Sequence, residues 1–418
     1  MISLPGTPPQ PLTLRTPSSE INTPLVSQIR SQRLQLSSNN NSAAYISQLE
    51  DYLSSIIECI SQEGHPHTQA LTYTASIPFS DTIPWTLPTK SNKPLETPWT
   101  LRDEISIVCC NISMGYTQRT YELMGKFARD QKPTSVPDDK FWLNTFKLLK
   151  KGLEYTEYVK QYATSEQQGT IWEASREYTL FVERTLMVSI QYSFLSKCLW
   201  KLKSTEFNIL DDEINYSTLA RIAISVKADL ISLIKDSKYH KLMEYVEYLE
   251  VILKLVNGII GALLSIENYK LDKIGVAIGF LNMAMDNITT KTNTPDDEEA
   301  ETEEESKLKK KFSSFKKKVS DKSNKIKSSK TKKFKINNNV LSKLPDGIRS
   351  DYTNLFQLIE LLHYKYHLEN NHLKFDAVVT QEDLINYTPL GRGVPIDITP
   401  WKPNGSSITP QNTQSGYY

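Results

Sequence analysis

Apolar residues recur at three- and four-residue spacing through most of this chain, and that period narrows the fold more than any other feature. From Ala43, the positions Tyr45, Leu49, Leu53, Ile56, Ile57 and Ile60 share one helical face, and Gly64 with Pro66 predict its end. Residues 101–129 repeat the pattern with Ile105, Val108, Cys109, Ile112, Tyr116, Leu123 and Phe127, and Pro133 and Pro137 mark the gap that follows. The segment 138–162 opens at an Asp138 cap and carries Phe141, Trp142, Phe146, Leu149, Leu153 and Val159. The same period predicts helices over 173–203, 215–235, 239–290 with a break near Glu267 and Asn268, and 340–368. Helices of roughly 20–30 residues exceed the average of about 11–12, and such rods pack side by side in an elongated all-α body.

Composition agrees. The 418 residues include 15 glycines, where average usage of about 7% would supply roughly 29, so few positions offer the positive φ that tight turns need. Strand signal is confined to residues 71–99, where Thr, Ile, Tyr and Trp alternate with prolines, and a small irregular β-rich hairpin is expected there. Residues 1–42 are rich in Pro, Ser and Asn, with five prolines in the first 17 positions, and read as an extended segment in which Leu12 and Leu14 lie on a surface. No fixed-period repeat is visible.

Several function classes are excluded at this level. Lys plus Arg number 49 and Asp plus Glu 48, a net charge of +1, which is not the balance of a uniformly basic nucleic-acid binder. Cys59, Cys109, Cys110 and Cys198 show no CxxC spacing, so neither a disulfide framework nor a thiolate zinc site is indicated and a reducing cytosol fits. The most apolar run, 251–266, is interrupted by Lys254 and Asn257 and falls short of the ~20 residues a bilayer requires, so no span is expected, nor a signal peptide.

Charge is strongly segregated within residues 291–336. Eight of the ten residues 296–305 are acidic, and 307–335 holds fourteen lysines with one aspartate. Such blocks read as a solvated, disordered insertion. Lys309, Lys310, Lys311, Phe312, Phe315, Lys316, Lys317 and Lys318 also suit docking on an anionic lipid surface, because each lysine contributes about 1 kcal/mol near such a membrane. A flexible tail is expected over 404–418.

No constellation makes an active site, and neither catalysis nor a cofactor is expected. His363 and His367 share a helical face, but HYKYH lacks the glutamate of HExxH and no third ligand is spaced to join them. Cys109 and Cys110 point to different sides of one helix. The run GRGVP at 391–395 lacks the spacing of a phosphate loop, and Pro395 and Pro400 enforce an extended course, with Ile396, Ile398 and Trp401 alternating toward a groove.

Several strings, in order, resemble the Bro domain family, the module shared by Alix-type endosomal scaffolds. LRDEISIVCCNISMGYTQRTYELM is similar to the opening of its central helices, with Glu104, Ser106 and Asn111 in matching places. IPWTLPTKSNKPLETPWT resembles the family's β-rich piece, RTLMVSIQYSFLSKCLWKL and ARIAISVKADL resemble two successive helices, and YKLDKIGVAIGFLNMAMDNI a later one that keeps Gly275 and Ile278. LENNHLKFDAVVTQEDL resembles the stretch near the module's end, matching at Asn371 and Phe375. The likeness covers residues 43–403. With the GRGVPIDITPWKP tail, it is similar to the fungal PalC group of pH-response regulators.

That resemblance implies an elongated, curved helical solenoid with a tetratricopeptide-like core. It also implies a cytoplasmic, non-enzymatic scaffold recruited to the plasma or endosomal membrane, acting in an alkaline-pH pathway that activates a transcription factor by proteolysis. The implied partner is the amphipathic C-terminal helix of an ESCRT-III filament subunit, held in an apolar groove. Carried over by position, the groove residues are Leu195, Ile222 and Thr218, the last standing where the family has an aliphatic. A generic solenoid that binds peptides in endosomal trafficking is the competing reading.

Overall fold

The computed structural model describes residues 9–15, 24–38, 41–62, 74–88, 98–130, 139–162, 171–205, 207–209, 214–289 and 344–403. The chain divides into one unit of residues 1–287 with 344–418 and a second of residues 288–343. Of the second, only Ile288 and Thr289 are described, and the first is the subject below. The proposed lipid-docking residues Lys309 to Lys318, with Phe312 and Phe315, and the tail 404–418 lie outside the described residues.

Nine α-helices are seen among the described residues: α1 (Pro24–Leu34), α2 (Ser42–Gln62), α3 (Leu101–Asp130), α4 (Asp139–Tyr162), α5 (Arg176–Ser204), α6 (Tyr216–Tyr239), α7 (Met243–Lys270), α8 (Ile274–Ile288) and α9 (Asp346–Glu369). From α2 to α7 each helix packs on the next, and α9 returns across α3, α5 and α7. The protein is therefore all-α. Among the described residues the β-rich piece has one short antiparallel pair, β1 (Pro78–Ser80) and β2 (Trp99–Thr100), and an isolated antiparallel bridge joins Trp85 to Pro11.

Two local differences from the sequence reading are instructive. Residues 1–42 are not wholly extended, because α1 forms at the end of the proline-rich stretch. Pro24 occupies its first position, where a missing N–H costs nothing, and Leu25, Val26 and Ile29 bury one face. Scarce glycine also does not prevent positive φ. Lys241 and Asp272, at φ 59° and 60°, close α6 and α7, where Leu242 N–H donates to Ser237 O and Lys273 N–H to Asn268 O at 2.9 Å each. The predicted break near Glu267 thus falls at residues 271–273.

By length and composition α7 meets the test for a membrane span, yet 72% of its most apolar window is buried in the protein. Gly261 is the reason α8 can lie so close to it, since a Cβ there would stand 2.8 Å from both Ala284 Cβ and Phe280 O. Both helices serve the core.

Buried carboxylates tie distant segments to the helices. Glu104, fully buried near the start of α3, accepts from Arg33 Nε at 2.9 Å, Tyr52 OH at 3.1 Å, and the indoles of Trp85 and Trp99 at 2.9 Å each. Arg33 also stacks over Trp85, and Arg30 donates to Phe79 O and Pro78 O. The charge of Glu104 is thereby paired, and α1, α2 and the β piece converge on it. Thr100 and Asp103 form a reciprocal capping box on the same helix, Thr100 N–H to Asp103 Oδ2 at 2.9 Å and Asp103 N–H to Thr100 Oγ1 at 3.2 Å. On α9, buried Asp351 accepts from Tyr192 OH at 3.0 Å and from Ser196 Oγ and Trp200 Nε1 at 2.9 Å each. Its partners are all neutral, and burial pushes its carboxyl above the usual range.

Candidate partner-binding face

The residues that the resemblance assigns to a groove lie on α5 and α6, which pack against each other. Each helix starts at a side-chain cap: Ser175 accepts from Tyr178 N–H, and Asn215 from Thr218 N–H at 2.9 Å. The caps set where the first turns begin and so which residues face outward. An ion pair between Arg184 and Asp236 at 2.8 Å crosses from α5 to α6.

The three assigned positions differ in access. Leu195 is 0% exposed and belongs to the core of α5, and Ile222 is 6% exposed on the shoulder of the buried stripe of α6. Thr218 is exposed, one turn before Ile222, and half-buried Ser225 lies one turn beyond it. Of the three, Thr218 is accessible and Ile222 shows only its rim.

A second feature of this side of the molecule is the segment after α9. A π turn (Asn370–Lys374) leads to Phe375 at φ 58°, and the Asn370 carboxamide clasps Asp376, accepting from its N–H at 2.8 Å and donating to its O at 3.0 Å. Asn371 and Phe375, which match the family stretch, are exposed. After a 3-10 turn (Asp383–Tyr387) the chain runs extended to Pro403. Val394, Ile396 and Ile398 are half-buried while Pro395, Asp397 and Thr399 are exposed, the alternation expected of this tail. It ends with Trp401 stacked on Tyr155 at 5.3 Å and edge-on to Tyr158 at 5.0 Å. The hydroxyl of Tyr155 is in turn fixed by Glu50 at 2.7 Å. Sequence reasoning gave the tail's conformation but missed Tyr155, Tyr158 and Gln191 beneath it, because that surface is assembled from helices far from the tail in the chain.

Candidate chemistry elsewhere is structural. Burial pushes the thiol of Cys110 up to about 12 and that of Cys109 well above its ordinary value, which keeps both protonated. The rings of His363 and His367 lie 4.2 Å apart, and burial with the neighbouring His367 lowers His363 to about 4. Among the described residues no three His, Cys, Asp or Glu side chains are grouped to hold a metal.

Comparison with known proteins agrees with this architecture. A family model described as a family of unknown function (DUF5355) matches residues 99–418. No curated protein matches by sequence. Among solved structures, a Bro1 domain studied for endosomal targeting is similar over 88% of this chain and 80% of its own, at 15% identity and a TM-score of 0.50. ALIX in complex with the SIVmac239 PYKEVTEDL late domain is similar over 92% of this chain at 14% identity and a TM-score of 0.53. The chain spans 44% of that ALIX chain. The fold is of the Bro type.

Proposed function

The chain belongs to DUF5355, a family of unknown function, and we propose that it is a non-enzymatic, Bro-type adaptor in endosomal trafficking. Its partner is the amphipathic C-terminal helix of an ESCRT-III filament subunit, which lies along α6 from Thr218 past the rim of Ile222. The observation that carries this reading is the likeness of fold to a Bro1 domain over four-fifths of that domain. Similarity to PalC-type regulators adds the setting, alkaline-pH signalling at the plasma or endosomal membrane. Leu195 supports the face from within, as its complete burial requires.

The accessible anchors are few. Each fully buried aliphatic contributes ~1.5–3 kcal/mol before association costs are subtracted, so the complex is expected to be micromolar or weaker. The lysine-rich segment supplies a second, electrostatic hold on anionic lipid.

Titration calorimetry of the full chain with the filament subunit's C-terminal helix tests the reading. Wild-type protein is expected to bind, and Thr218→Arg to weaken binding at least tenfold with an unchanged melting temperature. Absence of binding by the wild type, or equal affinity of Thr218→Arg, contradicts it. Liposome sedimentation tests the lipid contact separately: deleting residues 307–335 is expected to release the chain from phosphatidylserine vesicles, and undiminished binding rejects that role.

A further inference from the structure

The extended segment after α9 crosses the helices in the reverse of their chain order. Val379 N–H donates to Gly275 O of α8 at 3.2 Å, Arg392 N–H to Arg221 O of α6 at 3.0 Å, and Trp401 N–H to Glu154 O of α4 at 2.9 Å. At two crossings glycine allows the close approach and a side chain would be crowded. A Cβ on Gly391 would lie 3.0 Å from Ile224 Cγ2 and from the backbone N of Ser225, and one on Gly393 would lie 3.1–3.2 Å from the Gln191 carboxamide and Ser225 Oγ. The track thus selects sequence: glycine at both crossings, alternating aliphatics between them and the end, and an indole between Tyr155 and Tyr158.

The hold is light for so long a segment. Leu384 is buried against α8, but from residue 385 to 403 no side chain is fully buried, and Leu390 is 87% exposed. Such a segment belongs to the part of a fold that opens first. One group beneath it is also left unsatisfied. Gln191 is 3% exposed and its Oε1 has no hydrogen-bond partner among the described residues, because the strap places a glycine over it.

We propose that the track across α6, α5 and α4 is an exchangeable peptide site, filled in cis by residues 388–403 and open in trans to the same segment of a second copy. The track complements this chain's own sequence, so a second copy carries a ligand of equal fit. With Leu384 still anchored, the lifted segment reaches on the order of 50 Å when extended, enough to leave its own body. Exchange of an identical element between two copies is a low-cost route to a dimer. The strap covers α6 at Arg221, Ile224 and Ser225, next to the face given to the filament helix, and the test uses no filament helix, so its outcome is separate from that of the filament-helix reading.

A fluorescein-labelled peptide of residues 388–403, titrated into the full chain by anisotropy, tests it. The Trp401→Ala chain, whose own strap is weakened at its end, is expected to bind several-fold more tightly than wild type. A peptide carrying Gly391→Val and Gly393→Val is expected not to bind, and this control leaves the protein untouched. Light scattering of the wild-type chain should show a dimer fraction that rises with concentration and disappears with excess peptide. Failure of the peptide to bind either chain, binding that ignores the two valines, or a chain that stays monomeric at every concentration overturns the proposal.

Discussion

The protein ties segments distant in the chain to one another in two ways. At the amino-terminal side, α1, α2 and the β piece converge on Glu104, a carboxylate out of contact with water that is satisfied by one guanidinium, one phenol and two indoles. At the carboxy-terminal side, residues 388–403 lie on the surface, held by single backbone bonds, two glycine crossings and one bracketed indole. Removing any partner of the first arrangement strands a buried charge or donor. Lifting the second strands no charge, although it opens the faces of Tyr155, Tyr158 and Gln191 that it covers. The first is a permanent joint, and the second can open.

The largest effect is expected at the joint. Glu104→Ala leaves the buried Arg33 guanidinium unpaired and should lower unfolding free energy by about 3–5 kcal/mol in urea titrations. A loss below about 1 kcal/mol would mean that the convergence on Glu104 does not hold these segments. Asp351→Ala should cost less, about 2–3 kcal/mol, because it strands three neutral donors and no cation, and removes a carboxyl that burial already disfavours. A loss equal to that of Glu104→Ala would break the distinction between paired and neutral nodes.

A smaller, pH-dependent effect is expected at His363. Its folded value of about 4 lies below the ordinary value of about 6.5. Between these values the unfolded chain binds a proton that the folded chain refuses, so stability falls as pH drops through that window and is unaffected above it. Urea midpoints at pH 7.5 and 5 should therefore differ less in His363→Gln than in wild type. Asp351 titrates in the opposite sense, but both proteins share it. An equal drop in the two would show that His363 is not the acid-sensitive group.

The smallest stability effect belongs to the strap. Trp401→Ala should cost under about 1 kcal/mol, since its ring is only half covered, yet it should speed proteolytic cleavage within 388–403 several-fold. Unchanged cleavage would place the strap with the permanent joints.

The helices were legible because their cores repeat at the helical period: α3, α4 and α5 begin and end within about three residues of where the apolar pattern places them. The amino-terminal prolines mask α1, an 11-residue helix that itself begins with a proline. The site was less legible. An aliphatic at helical spacing looks the same whether it faces a groove or the core, and Leu195 proves to be core. Gln191, Tyr155 and Tyr158 carry no local signal, because what distinguishes them is a strap more than 200 residues later in the chain.

Hydrogen exchange of the full chain, with and without the filament subunit's helix, tests the adaptor reading most directly. Added helix is expected to slow exchange in the first half of α6, around Thr218 to Ser225, while amides at the start of α3 stay equally protected. Exchange along α6 that is identical in both samples, at helix concentrations well above micromolar, would contradict it.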